Sequence, residues 1–480
     1  MTTPPTAPAT AVAQLAAFAA GSMRAVPERV LADAKGRVLD VLGNCLAALM
    51  LAGHDEPHAA VLRALRRRGG TPEAVVIGRS ERLPASSAAL VNGALAHALD
   101  FDDTHLPSVL HPSASVVPAA VAVAEATGSS GRDLLAAIAV GDEICTRLGM
   151  AGYSRTLRAS VFLEKGFHAT SICGTVGAAA AAACLLGLDE AGVAAAMGVA
   201  TSMGAGLIEA NRTGGTVKGV HCGWAAHAGI EAAVLAAEGV TGPPTVFEGR
   251  FGFLRAYLDD DGDVTALTEG LGDRWEVLRT VYKPYPSNHF THPGIDCALA
   301  LRAEGLRGDD VVDAELGVAV SPLRTIGEPR EEKVHPRTPY HAKFSGPYTV
   351  AAALLGGGGL GLSLEDFFPA AVGDPRRRAL AEKVRVVPDA RCTEQFPEAF
   401  SAVLRVRTRD GRSWEHRVDS SRGGPEHPLT VDELATKFHL NAERVLRAEH
   451  VLDLEREVLA LDRRADVRGL LPTSGATDSA

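Results

Sequence analysis

The sequence predicts a mainly α protein, with a large all-helical domain and a smaller α+β lid domain. Three observations carry that expectation. Alanine is abundant while aromatic residues make up only 5% of the chain, and small side chains favour closely packed helices over a β-sandwich. From about residue 11 to residue 267, Ala-rich apolar runs are broken by loop signals at 53–57, 128–131 and 241–244. Near Leu271 the texture changes to short alternating segments.

Within the first region the most apolar stretch, 174–186, is too short for a bilayer span, which needs about 20 residues, and predicts a buried helix. In the second region, alternation at 315–320, 383–387 and 402–408 predicts strands. The last is followed by Asp410-Gly411 and the segment 413–418, a hairpin with Asp-Gly at its turn. Helical patterns begin again at Pro293 and Pro347. After Pro428, Thr430 and Glu433 have capping-box spacing, and helix is expected to about Arg463. The glycine run 356–361 matches GxGxxG but follows a helical pattern and opens no βαβ unit, so it predicts a turn and no nucleotide site. The expected domains are a helical one over 1–271, completed by 426–471, and the lid over 272–425, with a polar, disordered tail at 472–480.

The net charge of −10 and the absence of a long basic run argue against nucleic acid as a partner. Seven scattered cysteines with no C-x-x-C pair argue for reduced thiols and against a disulfide framework, zinc or an iron–sulfur cluster. The N-terminal segment lacks a basic stretch before an apolar one, so the expected location is cytoplasmic, away from membranes.

Five segments concentrate chemistry. The first runs His97-Ala98-Leu99-Asp100-Phe101-Asp102-Asp103-Thr104-His105 and continues to His111. If 87–104 is helical, Asp100 and Thr104 share a face, with His97 one turn before Asp100. Aspartates can bind hard cations, but the oxygen-ligand loop with its central glycine is missing, so no metal is expected. The acidic run 259–263 reads as a solvated loop. His168, just ahead of the buried helix, is either aimed at a site or a cap of that helix. In Asn211-Arg212-Thr213-Gly214-Gly215-Thr216-Val217-Lys218, glycines before a helix leave backbone N–H groups for an anion. Lys218 and His221 lie at i,i+3 there, and Arg212 is a further partner for a carboxylate. A proline-stiffened loop, 283–293, presents Lys283, Asn288, His289 and His292, as a site loop or as a rigid linker. The segment 343–348, ending in Tyr348, enters a helix.

Taken together, the blocks NGALAHALDFDDTH (92–105), HPSASVVPAA (111–120), GFHATSICGTVGAAAA (166–181), VKGVHCGWAAHAG (217–229), KPYPSNHFTHPGID (283–296) and KFSGPY (343–348) resemble the MmgE/PrpD family. The resemblance implies a helical first domain with an α+β lid, a homodimer, a small polycarboxylate substrate and no required cofactor. It implies catalytic roles for Asp100, His111, His168, Lys218 and His289, and substrate contacts from Thr104, Arg212, Lys283 and Tyr348. In that reading Asp100 orients an imidazole. The lid loop departs from the decarboxylase-like pattern, in which a histidine falls where this chain has Asn288. The implied chemistry is lyase chemistry beside a carboxylate, with dehydration of a 2-methylcitrate-like hydroxy acid placed first. Decarboxylation of a cis-aconitate-like acid and epimerisation of an imino- or amino-dicarboxylate are the alternatives, and a non-catalytic carboxylate-binding protein is the reading from another class.

Overall fold

The computed structural model describes residues 9–50, 56–154, 156–157, 159–259 and 261–471, with the side chains of Asn211 and Arg212 excepted. The expected polar tail, most of the 53–57 loop and Asp260 lie outside the described residues. The chain forms two compact units. One comprises Met1–Thr280 with Asn441–Ala480, the other Val281–Leu440.

The first unit is mainly helical, with a few two-residue strands among its loops, and includes α1 (Ala11–Ser22), α2 (Glu28–Met50), α3 (Pro57–Arg68), α4 (Ala85–His97), α5 (Ser113–Thr127), α6 (Gly131–Ala151), α7 (Val161–Glu164), α8 (Ala169–Leu185), α9 (Glu190–Thr201), α10 (Ala210–Thr213) and α11 (His221–Ala237). Helix α8 contains the apolar stretch read from the sequence and is buried along nearly all its length. A helix apolar on every face must be surrounded, and α5, α6, α9 and α11 pack around it.

Two of these crossings are made backbone to backbone. A Cβ at Gly177 of α8 would lie 2.5 Å from the Gly141 carbonyl oxygen of α6. A Cβ at Gly93 of α4 would lie 2.7 Å from Gly223 Cα, and one at Gly223 of α11 would lie 2.1 Å from the Leu90 oxygen. Any larger residue would force these helices apart. Helix α6 also buries an i,i+4 ion pair, Arg147 Nε to Glu143 Oε1 at 2.6 Å. Its outward groups are used as well: Arg147 donates to the Glu269 and Arg274 carbonyls, and Glu143 accepts from the Val277 N–H. A buried pair with its remaining donors and acceptors satisfied is the tolerable kind.

The second unit holds a four-stranded sheet of β1 (Val311–Val318), β2 (Val384–Pro388), β3 (Ala402–Thr408) and β4 (Ser413–Val418), in the order β4-β3-β1-β2. The β1–β2 pair is parallel and the others antiparallel. The hairpin between β3 and β4 turns where the sequence places it. Gly411 has φ +83°, and Asp410 Oδ1 accepts from Thr408 Oγ1 and from the Arg412 N–H. Helices His292–Ala303 and Gly346–Leu355 cover the sheet. The architecture is therefore the mainly α one expected, with a small α+β unit.

The capping box beyond Pro428 forms: the Thr430 N–H donates to Glu433 Oε2 at 2.8 Å, and the Glu433 N–H donates to Thr430 Oγ1 at 3.2 Å. The single helix expected from there to Arg463 does not. It is two helices, Val431–Ala442 and Ala448–Leu459, followed by a 3-10 turn at Leu461–Arg463. No glycine or proline marks the break. The Val445 and Leu446 N–H groups both turn back to the Ala442 carbonyl, and Leu446 is buried there.

Candidate active site

The first motif folds differently from its expected helix. Helix α4 stops at His97, Asp100 has φ +54°, and Thr104-His105 form a short strand, so no i,i+4 face joins Asp100 to Thr104. Carboxylates in the last turn of a helix would face its negative end. Leaving the helix, through a left-handed residue that aspartate tolerates, turns Asp102 and Asp103 inward instead. Both are buried, as is Asp100.

His97 Nδ1 donates to Asp102 Oδ2 at 2.8 Å. Burial opposes a charge on His97, but the Cys222 sulfur and the Asp102 carboxylate beside it outweigh burial and hold the imidazole up to about 10. The hydrogen bond to the Asp102 carboxylate favours the charged form of this ring. The same Asp102 oxygen lies 3.8 Å from His111 Nδ1.

His111 precedes α5 and is the most open member of the group, its side chain 16% exposed. Its Nδ1 lies 2.5 Å from the Asp103 carbonyl oxygen and 3.3 Å from Thr104 Oγ1, while its backbone N–H donates to Thr170 Oγ1. A carbonyl can only accept, so Nδ1 carries the hydrogen and Nε2 is the atom at which the ring gains or loses its second proton.

His168 sits at the N-cap position of α8, and His221 opens α11. Their Nδ1 atoms are 2.9 Å apart. One ring donates and the other accepts, which requires that they do not both carry a charge. Burial, helped by Lys218 and the neighbouring imidazoles, holds His168 well below the usual histidine range. Burial, with His97 and Lys218, lowers His221 to about 4. The four rings form a row, with centroids 5.3 Å apart for His111–His97, 5.7 Å for His97–His168 and 5.1 Å for His168–His221.

Lys218 lies half-buried in the 3-10 turn Val217–Val220 that leads into α11, after Gly214 and Gly215 at φ +91° and +109°. It bears on both His168 and His221 as a like charge. The Arg212 side chain lies outside the described residues.

In the second unit Lys283 is buried. His289 stacks on His292 with centroids 4.5 Å apart, and its Nε2 is 3.3 Å from Ser421 Oγ. His292 Nε2 donates to the Ser287 carbonyl, and Asn288 Oδ1 accepts from the Phe290 N–H, capping the turn. The Tyr348 hydroxyl donates to the Asp366 carbonyl at 2.5 Å and accepts from Arg377 Nη1 at 3.2 Å.

The structure therefore gathers Thr104, His111 and His168 of the sequence-derived set, and adds His97, Asp102, Asp103 and His221. Asp102 is a carboxylate bonded to an imidazole of the row. A signal for it existed, since Asp102 shares a short segment with His97. Among the described residues, His97, Asp102 and Cys222 place ligand atoms within 4.8 Å of one another. A metal there would have to displace the proton shared by His97 and Asp102. The present geometry is that of an imidazolium held by a carboxylate.

A row of four imidazoles with a lysine beside it is able to move protons next to an anionic group. The chain matches the MmgE/PrpD N-terminal domain over residues 13–264 and the MmgE/PrpD C-terminal domain over residues 285–463. Cis-aconitate decarboxylase of Homo sapiens is 30% identical over 444 residues, covering 92% of this chain and 89% of the human protein. The Mus musculus protein of that name is 31% identical over 399 residues, with 82% and 79% covered. That of Aspergillus terreus is 27% identical over 422 residues, with 82% of each covered. The chain belongs to the MmgE/PrpD family. No helix among the described residues is long and apolar enough to cross a membrane.

Proposed function

We propose that this protein removes CO2 from a small unsaturated tricarboxylic acid of the cis-aconitate type, without a cofactor. This replaces the dehydration placed first on sequence. The reading is supported by the relatives named cis-aconitate decarboxylase and carried by one observation, the row of imidazoles with a carboxylate behind it and Lys218 beside it. Breaking the bond to the departing carboxylate leaves an electron pair on carbon, which moves through the adjacent double bond. A new C–H bond then forms at the far carbon, with a proton from an imidazolium that takes another from solvent after each turnover. His111 suits that transfer, because Asp103 and Thr104 hold its Nδ1 and leave Nε2 to take up the solvent proton and pass it on. Lys218 and the His97 imidazolium offset the negative charge of the carboxylates that remain, the largest kind of contribution in such sites.

Proton NMR of the purified protein in D2O with a chelator tests this, using cis-aconitate, 2-methylcitrate, citrate and both aspartate enantiomers. Loss of CO2 from cis-aconitate to a methylene-substituted dicarboxylate carrying one deuterium is the expected result. Water loss from 2-methylcitrate with cis-aconitate untouched would return the hydro-lyase reading. Deuterium exchange at the aspartate α-carbon alone would give the epimerase.

A further inference from the structure

Beneath the imidazole row lies a hydroxyl in contact with two carboxyl groups. Ser113 Oγ, at the start of α5, is 2.5 Å from Asp103 Oδ2 and 3.0 Å from Asp142 Oδ2 of α6. All three residues are 1% exposed or less. A serine hydroxyl has one hydrogen. Given to Asp103, it leaves only lone pairs toward Asp142; given to Asp142, it leaves only lone pairs toward Asp103. Two oxygens at hydrogen-bond distance in the core need a hydrogen between them, so one carboxyl must bring its own.

Arg37 decides which. Its Nη1 donates to Asp103 Oδ2 at 3.1 Å, and its other nitrogens hold Asp33 and the Thr280 carbonyl. A guanidinium on Asp103 favours the ionised form there. Among the described residues Asp142 has no such partner; Oδ1 of Asp142 and Oδ1 of Asp103 alike meet no hydrogen-bond donor, so the guanidinium is what separates the two carboxyls. An ionised carboxylate with one oxygen unbonded in the core is the costly state, and a neutral acid is not. The charged groups around the pair are Arg37, Asp33 and Asp40 of α2 with Asp102 and Asp103 of the loop. Burial first, then the charge on Asp103, push the Asp142 carboxyl well above the usual range.

We propose that Asp142 is a neutral carboxylic acid whose proton, donated to Ser113, positions Asp103 and through it His111. The order is Asp142 O–H to Ser113, Ser113 O–H to the Asp103 carboxylate, and His111 Nδ1–H to the Asp103 carbonyl. Asp142 is then a positioning residue that touches no substrate. The effect on His111 chemistry rests on the proposed function, whereas the protonation state does not.

Infrared difference spectroscopy at neutral pH between the wild-type protein and Asp142→Asn tests the protonation state without substrate. The expected result is a buried carboxylic-acid carbonyl band that is present in the wild type and lost in the variant. Absence of that band overturns the proposal. Kinetics test the positioning. Asn keeps an N–H to give Ser113, so Asp142→Asn should keep kcat and its pH profile close to wild type. Asp142→Ala should lower kcat about tenfold or more at nearly constant KM, since misplacing a catalytic group by about 1 Å can cost ~100-fold. Equal losses in the Asn and Ala variants overturn the positioning role. If the Ala variant fails to fold, the infrared band and the Asn variant still decide the matter.

Discussion

His168 and His221 share one hydrogen between Nδ1 atoms 2.9 Å apart, so the two rings hold opposite tautomers. The pair fixes a direction in the site: the donor ring must present a bare Nε2, and the acceptor ring an Nε2–H. Reversing the pair would exchange a proton acceptor for a donor at this end of the row.

Neutrality of this pair has a thermodynamic signature. His221 is lowered from 6.5 to about 4 by burial, and then by His97 and Lys218. Between those values the unfolded chain binds a proton that the folded chain refuses, so stability is complete above the upper value and lost as pH falls toward the lower. Asp103, lifted to about 6 mainly by burial, acts with the opposite sign, which makes a comparison of variants the clean test. In thermal melts, His221→Gln should lose less melting temperature than wild type on going from neutral pH to about 4.5. An equal loss would mean that His221 is not held neutral.

His111 is expected to carry the proton transfer. Replacement by Gln should lower kcat by about 100- to 10,000-fold with KM little changed, measured by CO2 release from cis-aconitate. Full turnover in His111→Gln would remove the residue from the mechanism.

The charge on His97 depends on Asp102 together with the Cys222 sulfur. Asp102→Asn keeps the shape but removes one of these two groups, so the His97 imidazolium should give up its proton at a lower pH than in the wild type. Nitrogen-15 NMR of the labelled imidazoles reads this directly. Turnover should fall by about 100-fold, at the low end for an acid/base partner. An unchanged imidazolium signal would show that Asp102 does not set the charge.

The crossing of α4 and α11 leaves no room for a methyl group at Gly223, where a Cβ would meet the Leu90 oxygen at 2.1 Å. Gly223→Ala should cost about 1–3 kcal/mol in urea unfolding. Gly21→Ala in α1, where a Cβ meets nothing within 4 Å, should be neutral or add about 0.5–1 kcal/mol. Equal stabilities for the two variants would show that the crossing relaxes freely.

What the sequence made legible was local. The Thr430–Glu433 box and the Asp410-Gly411 turn bind within a few residues, so their chemistry can be read in order along the chain. The position of His168 ahead of its helix was legible for the same reason. The contacts that build the row were not: Arg37 meets Asp103 across 66 residues, and His168 meets His221 across 53. Their partners are chosen by helix packing. Asp142 lies in the largely apolar run LLAAIAVGDEICTRLGM (134–150) beside the charged Glu143 and Arg147, and nothing in the order of residues says that it faces Ser113. The assumed continuation of α4 to Thr104 failed because periodicity does not register the cost of carboxylates at a helix end.

All four imidazoles stand at helix ends: His97 closes α4, His111 stands just ahead of α5, His168 just ahead of α8, and His221 opens α11. The helix bodies between them meet through glycines and alanines that carry no reactive group. Heritable change can thus fall on two separate sets of positions. Drift in the helix bodies is held in check by the crossings, whereas the ends can trade one side chain for another without disturbing their neighbours' spacing. A lineage built this way can acquire a new substrate by small steps at the ends of old helices, and relatives with different activities are expected to differ there first.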